Sequence, residues 1–261
     1  MATGRTVLKW VDFYADGYNL TGYGRTVGPL PWEYEEVELT AGMGDPVKGY
    51  LPGEVTIGGL TYHAVLEDTA LVGSHARLGN PGSYNVVMVP FGIRAAVEIG
   101  DPVYAGRFEQ LAYRVVDDGK AVTVDAVYGQ PHITTLLNYP KPWGLMLHEL
   151  SAETAVNAGT GDSVDHGAQT TAGGYMVYQV FAAAGAGTRT ATIKVQDSDT
   201  NVDGDFVDLP GATTGVIDCI NPVAGIHQCA IGETVDRWLR WQIVLGTATS
   251  VTFSLSFCRG V

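Results

Sequence analysis

Alternation of apolar and polar positions with a period of two dominates this chain. In "SVTFSLSF", Val251, Phe253, Leu255 and Phe257 alternate with Thr252, Ser254 and Ser256, the pattern of a strand with one buried face. Short runs rich in β-branched and aromatic residues predict strands at Tyr84–Pro90, Ala95–Ile99, Gly106–Val116, Ala121–Tyr128, Tyr175–Ala182, Thr190–Gln196, Phe206–Leu209, Val216–Ile220, Trp238–Leu245 and Val251–Cys258. "TIGGLTYHAVL" and "RTVLKWVDFYADGYNL" read as strands as well, the latter carrying the hairpin signal Asp16-Gly17. Asp118-Gly119 marks the tip of a second hairpin, "YRVVDDGKAVTVDAVYG". In "PLPWEYEEVELT", Trp32 and Tyr34 share one parity, and Val37 and Leu39 share the other. A bulge near Glu35-Glu36 is required to bring all four to one side.

A helical pattern occurs once, in "DTALVGSHARLGNPG". Asp68 is placed to cap it, Leu71, His75 and Leu78 fall on one face, and Gly79 with Pro81 ends it. The segment "AGMGDPVKGYLPGE" is broken by Gly42, Gly44, Pro46, Gly49, Pro52 and Gly53, which predicts a long loop from Ala41 to Gly53. "GYGRTVG", Gly22–Gly28, lacks the lysine of a phosphate loop and no helix follows, so it reads as a turn. Three prolines in "GQPHITTLLNYPKPWG" put a domain boundary near Pro142. The second part then opens on a loop, "SAETAVNAGTGDSVDHGAQTTAGG". The predicted fold is all-β. Residues 1–142 form a β-sandwich or barrel with one short helix, and residues 143–261 form an antiparallel β-sandwich.

Composition narrows the functions. Hydrophobic residues make up 46% and charged residues 16% of the 261, a balance that supports packed cores and excludes a disordered chain. The formal net charge is −13. Residues 1–142 hold 10 basic and 16 acidic residues, net −6, and residues 143–261 hold 5 and 12, net −7. The acidity therefore belongs to the whole folded surface, which repels phosphate and argues against sequence-specific DNA binding. The N-terminal "MATGRTVLKWVDFY" has no apolar core of a signal peptide. No apolar run approaches the ~20 residues that span a bilayer, so no membrane association is expected. Cys219, Cys229 and Cys258 form no CxxC pair. They are expected to be buried small hydrophobes in a protein made in a reducing compartment.

The segment "VQDSDTNVDGDFVDL" carries five aspartates in fifteen residues. Asp199, Asn201, Asp203 and Gly204 match positions 1, 3, 5 and 6 of a helical calcium loop, but position 12 is Pro210 and the flanks read as strands. A hairpin connection with Gly204 at positive φ is the preferred reading, with Asp199, Asn201 and Asp203 as a weak candidate for a bound cation. "GTGDSVDHG" sets Ser163, Asp165 and His166 side by side on a loop, where a triad's geometry is not available. His148-Glu149 lacks the second histidine of a zinc protease. The neighbours Glu35 and Glu36 point to opposite faces of a strand, which defeats a glycosidase pair. No catalytic residue and no cofactor are expected. Trp238 and Arg240 share one face of "RWLRWQIVLG", and Leu239, Trp241 and Ile243 the other. There an arginine serves either sandwich stability or a subunit contact.

Several segments resemble a known family. "FYADGYNLTGYGRTVGPLPWEYEEVELTAGMGDPVKGYLPG" is similar to the opening of tail tube (major tail) proteins of long-tailed bacteriophages, with an Asp-Gly-Tyr turn, an acidic strand ending in Leu-Thr and a "KGYLPG"-like loop. "PWGLMLHEL", "TAGGYMVYQVF", "RWLRWQI" and "SVTFSLSFCRG" resemble the C-terminal β-sandwich of such virion proteins. The resemblance implies a structural subunit without enzymatic activity that forms stacked hexameric rings. Its partners would be itself and other tail proteins, with double-stranded DNA passing through a negatively charged lumen unbound. It implies a place in the virion tail, after assembly in the host cytoplasm. It also implies ring-stacking contacts through the loop that carries Gly42, Asp45, Lys48, Tyr50 and Pro52, and Glu33, Glu35, Glu36 and Glu38 are candidates for the lumen wall. Alternatives are a capsid decoration protein and a carbohydrate-binding module presenting Tyr175, Tyr178, Trp238 and Trp241. A tail-spike glycan hydrolase is weakest, because no acid pair is visible.

Overall fold

A computed structural model describes residues 10–30, 33–39, 49–56, 59–70, 72–92, 96–117, 119–131, 141–155 and 162–260, with backbone alone for 33–39, 49–56 and 130–131. The chain is almost entirely antiparallel β. In order, the strands are β1 (Trp10–Val11), β2 (Tyr14–Ala15), β3 (Tyr18–Asn19), β4 (Gly24–Gly28), β5 (Glu33–Leu39), β6 (Gly49–Thr56) and β7 (Thr61–Val65). Helix α1 (Ser74–Leu78) follows, then β8 (Tyr84–Gly92), β9 (Pro102–Asp117), β10 (Val122–Pro131), β11 (Trp143–Glu153), β12 (Val164–Asp165) and β13 (Gly174–Ala184). The chain closes with β14 (Thr190–Ser198), β15 (Val207–Thr213), β16 (Ile217–Asp218), β17 (Val223–Gln228), β18 (Trp238–Leu245) and β19 (Ser250–Arg259).

The largest sheet runs β17-β13-β19-β11-β9-β10-β7-β4, with β8 and the short β1, β2 and β3 attached beside β9. A five-stranded sheet, β12-β18-β14-β15 with β16, covers part of it, and β5 and β6 pair as a two-stranded sheet. Strand β9 organises the large sheet. One of its edges bonds β11 near its start (Tyr104↔Trp143) and β10 along its far half, while β8 takes the other edge.

Side-chain parity divides the interior into three cores. Val87, Val89, Tyr104 and Phe108 point into the first, shared with Phe13, Leu20, Tyr62 and Val124. On the opposite faces of the same strands, Val86, Met88, Val103 and Ala105 enter a middle core, where they meet Tyr175, Val177 and Cys258. The other faces of β13 and β19 supply Met176, Tyr178, Val180, Phe253, Leu255 and Phe257 to a third core closed by Ile193, Leu239, Trp241 and Ile243. Strands β8, β13 and β19 are thus largely buried on both faces, which is why "YNVVMVPFG" and "GYMVYQVF" show no alternation and are mainly apolar, interrupted by the buried Asn85 and Gln179. Pro142 directly precedes β11, its carbonyl accepting from the Ala105 amide at 2.8 Å.

Several expectations are corrected. The helix spans one turn, with Gly73 rather than Asp68 at its cap. Residues 96–99 form no strand. The Gly22–Gly28 turn contains a strand, β4, because Val27 and Thr26 pair with Tyr62 and His63. Of the loop expected from Ala41 to Gly53, the part from Gly49 on is instead β6, paired with β5, and residues 41–48 lie outside the described residues. Between Tyr34↔Val55 and Glu36↔Pro52 the pairing slips, as the sequence requires near Glu35-Glu36, but the extra residue falls on β6. The second half opens not on a loop but on β11, eleven residues long, and β17 was not anticipated.

Candidate functional site

The β2–β3 turn is the most constrained feature of the N-terminal half. Asp16 (φ 49°) and Gly17 (φ 82°) both adopt left-handed backbone, the geometry of a two-residue hairpin turn that matches strand twist. The Asp16 carboxylate accepts from the Val86 amide (2.8 Å) and from Asn85 Nδ2 (2.5 Å). The Gly17 amide donates to Gln179 Oε1 at 2.6 Å, and Gln179 Nε2 donates to the Val86 carbonyl at 2.7 Å. A Cβ on Gly17 would lie 2.6 Å from the Val180 carbonyl oxygen. Only glycine meets both the turn conformation and this close approach to β13.

Asp16 stands between two openings. One is a groove of about 530 Å³ bounded by Tyr84, Val86 and Arg107 on one side and by β17 residues 224–228 on the other. The second, about 250 Å³, is bounded by Arg77, Asn80, Ser83 and Asn85. The groove is the mouth of the middle core, which Ala224 and Ile226 only partly close. Arg107 lies over the Tyr84 ring (5.1 Å) and Arg77 over the Tyr18 ring (3.4 Å). Burial raises the pKa of Asp16, opposed by its bonds to Asn85 and Val86 and by the charges of Arg107 and Arg77.

Among the described residues no strand pairs with the outer edge of β17. The Cys229 amide donates to Gly174 and the pairs run Gln228↔Tyr175 to Val223↔Val180. In an antiparallel ladder, hydrogen-bonded and non-bonded pairs alternate, so His227, Gly225 and Val223 bond β13 while the backbone groups of Ala224 and Ile226 point away. At the other end β4 is also an edge, and the β5–β6 hairpin pairs with no third strand among the described residues. The far end of β9–β10 exposes Val115 (54%) and Val116 (45%), which lie on opposite faces of one strand.

The residues singled out from sequence fall as follows. Asp203 is paired with Arg240, Asn201 Oδ1 accepts from Ser163 Oγ at 2.7 Å, and the Thr200 hydroxyl donates to Asp205 at 2.6 Å. The aspartate stretch is a hairpin connection from β14 to β15, as read, but Gly204 is not at positive φ. No cluster of three metal-ligating side chains exists among the described residues. Asp165 is held by Arg237 in a two-pronged pair (2.8 and 2.6 Å), which lowers its pKa to about 2, while Ser163 turns to Asn201. Burial and the Arg259 charge push His166 down to about 3. His148 is buried, stacked on Phe253 at 4.0 Å, with Nε2 3.1 Å from Glu153. Of the aromatics considered for sugar stacking, Tyr175, Tyr178 and Trp241 are core residues and present no platform. Arg240 is buried too, lying over Phe206 and bonded to Gln196 within its own chain. Glu33, Glu35, Glu36 and Glu38 lie on β5, and Tyr50 and Pro52 on β6; Gly42, Asp45 and Lys48 are outside the described residues. The Asp16–Arg107 groove was not found from sequence, although Asp16-Gly17 was singled out as a turn.

No protein-family model matches the chain, and no curated protein matches it. Among solved structures it is similar to the SPP1 Dit protein, described as a paradigm of the hub adsorption apparatus in Gram-positive infecting phages. The identity is 14%, the TM-score is 0.33, and the alignment covers 96% of this chain and 100% of that one. A likeness at that level carries no argument about function. No helix among the described residues is long and apolar enough to cross a membrane.

Proposed function

We propose that the chain is a non-enzymatic structural subunit of a phage tail, and that it assembles with copies of itself into stacked rings around a DNA-conducting lumen. The observation that carries this reading is the number of open edges. Among the described residues, β17 and β4 end the large sheet, and β5 and β6 pair only with each other. Soluble monomers blunt such edges because unpaired strands template association, and ring closure satisfies them in one step. Apolar side chains exposed on both faces of the β9–β10 end point the same way, since a strand apolar on both sides belongs in an interior. The resemblance of the N-terminal segments to tail tube proteins supports the choice of assembly. The charge of −13 suits it: a carboxylate-rich wall repels phosphate and lets DNA slide. The β5–β6 hairpin and the segment joining its strands would contact a neighbouring subunit. The virion tail would be its place, with other tail proteins as further partners.

Negative-stain microscopy and sedimentation of concentrated protein test the reading. Rings or hollow tubes are expected. A particle that stays monomeric at high concentration, or binds expanded phage heads instead, overturns it in favour of an isolated module or a capsid decoration protein.

A further inference from the structure

The groove beside Asp16 combines three features. Its β17 wall offers the backbone groups of Ala224 and Ile226 to an added strand. Its lining is mostly polar, with Val86 and Ile226 contributing an apolar spot at the mouth of the middle core. Its far wall carries Arg107, with Arg77 across Asp16, and neither arginine forms an ion pair among the described residues. The Asp16 carboxylate, the one acidic side chain lining either opening among the described residues, is already bonded by Asn85 and Val86. In a chain with 28 acidic and 15 basic residues, this places two guanidiniums, each stacked on a tyrosine ring, on either side of a single carboxylate.

The same chain contains the complementary strand. β5, "EYEEVEL", holds four glutamates and no lysine or arginine in seven residues, against six residues in β17. It is bonded to β6 along one edge, and no strand takes the other among the described residues. A two-stranded hairpin alone is marginal in water and gains from a third strand.

We propose that β5 of a second copy of the chain docks in this groove, adding edge-to-edge to β17, with Glu36 and Glu38, which share one parity of the strand, meeting Arg107 and, across Asp16, Arg77. The inference rests on the self-assembly reading above and names the surfaces that meet. It assigns Glu36 and Glu38 to the subunit contact rather than to the lumen wall. The contact is heterologous, groove to arm, so each subunit offers one of each and a ring can close.

A charge swap tests it on the full chain. Arg107→Glu sets glutamate against glutamate, and Glu36→Arg with Glu38→Arg sets arginine against arginine. Each variant is expected to assemble roughly tenfold more weakly or worse in sedimentation, because like charges across an interface suppress association. Circular dichroism and melting curves establish that both remain folded, and the arm variant is a second route should Arg107→Glu misfold. Mixing the two variants pairs an altered arm with an altered groove, and the wild-type groove with the wild-type arm. Recovery of assembly in the mixture is the expected result. Unchanged assembly of the single variants overturns the proposal while leaving self-assembly intact, and so does a mixture that fails to recover. A wild-type chain that never assembles instead removes the functional reading itself.

Discussion

Gln179 is fully buried, and both ends of its amide are committed to the other half of the chain: Oε1 to the Gly17 amide, Nε2 to the Val86 carbonyl. Gln179→Leu keeps the volume and strands the Gly17 amide in the interior. A loss of ~1–3 kcal/mol of stability is expected, the desolvation cost of one orphaned polar group, read by denaturant titration. The adjacent Asp16 predicts a pH dependence. Its folded-state pKa is raised, burial being the main cause. The folded chain therefore holds this proton more tightly than the unfolded one. The stability linked to it is fully present below the unfolded value near pH 4 and is lost as pH rises through the folded value. Unfolding free energies measured from pH 4 to pH 7 should fall more steeply in the wild type than in Asp16→Asn, the difference isolating this residue from Asp197, whose burial acts in the same direction.

Elements differ in how plainly their residues announce them. β19 and β18 follow from alternation because each has one face in the third core and a second face of different polarity. β6 is hidden by Pro52 and Gly53, residues that an open hairpin accepts and a central strand does not. β17, "VAGIHQ", is half-exposed along its whole length, so no period shows. β11 slips twice against β19, between Met146 and His148 and again between His148 and Ser151, which scrambles its parity. The groove escaped notice for a related reason: its residues come from the β2–β3 turn, β8, β9 and β17, and only the folded sheet brings them together. The β14–β15 connection was legible as a turn, but its clamp was not. Arg240 reaches Asp203 from β18, bonds Gln196 at 2.9 Å and covers Phe206. Arg240→Met should cost ~1–3 kcal/mol through the lost charged hydrogen bonds, read by thermal or denaturant unfolding, with the strand pairing of β14 and β18 preserved.

At the scale of the whole molecule, the middle core decides how the chain comes apart. It is built from β8 and β9 of one half and β13 and β19 of the other, so neither half can open without exposing it. Unfolding is expected to be a single cooperative step. The cysteines report on it: Cys219 and Cys229 lie in the third core and Cys258 in the middle one. Burial pushes their thiols up to about 11, 12 and 12, which keeps them from forming the reactive thiolate. A thiol reagent at pH 8 should label none in the native chain. In rising denaturant all three should appear together, at the midpoint seen by circular dichroism. Separate midpoints would show that the third core opens independently of the middle one.

Strand β9 also sets how the molecule bears load. Its sixteen residues are stitched sideways to β8, β10 and β11, and those bonds lie across its axis. Tension entering along β9 therefore meets three ladders in shear, where many bonds must break at once, whereas a sideways tug would peel them one by one. A chain built this way is stiff along β9 and yields at its margins.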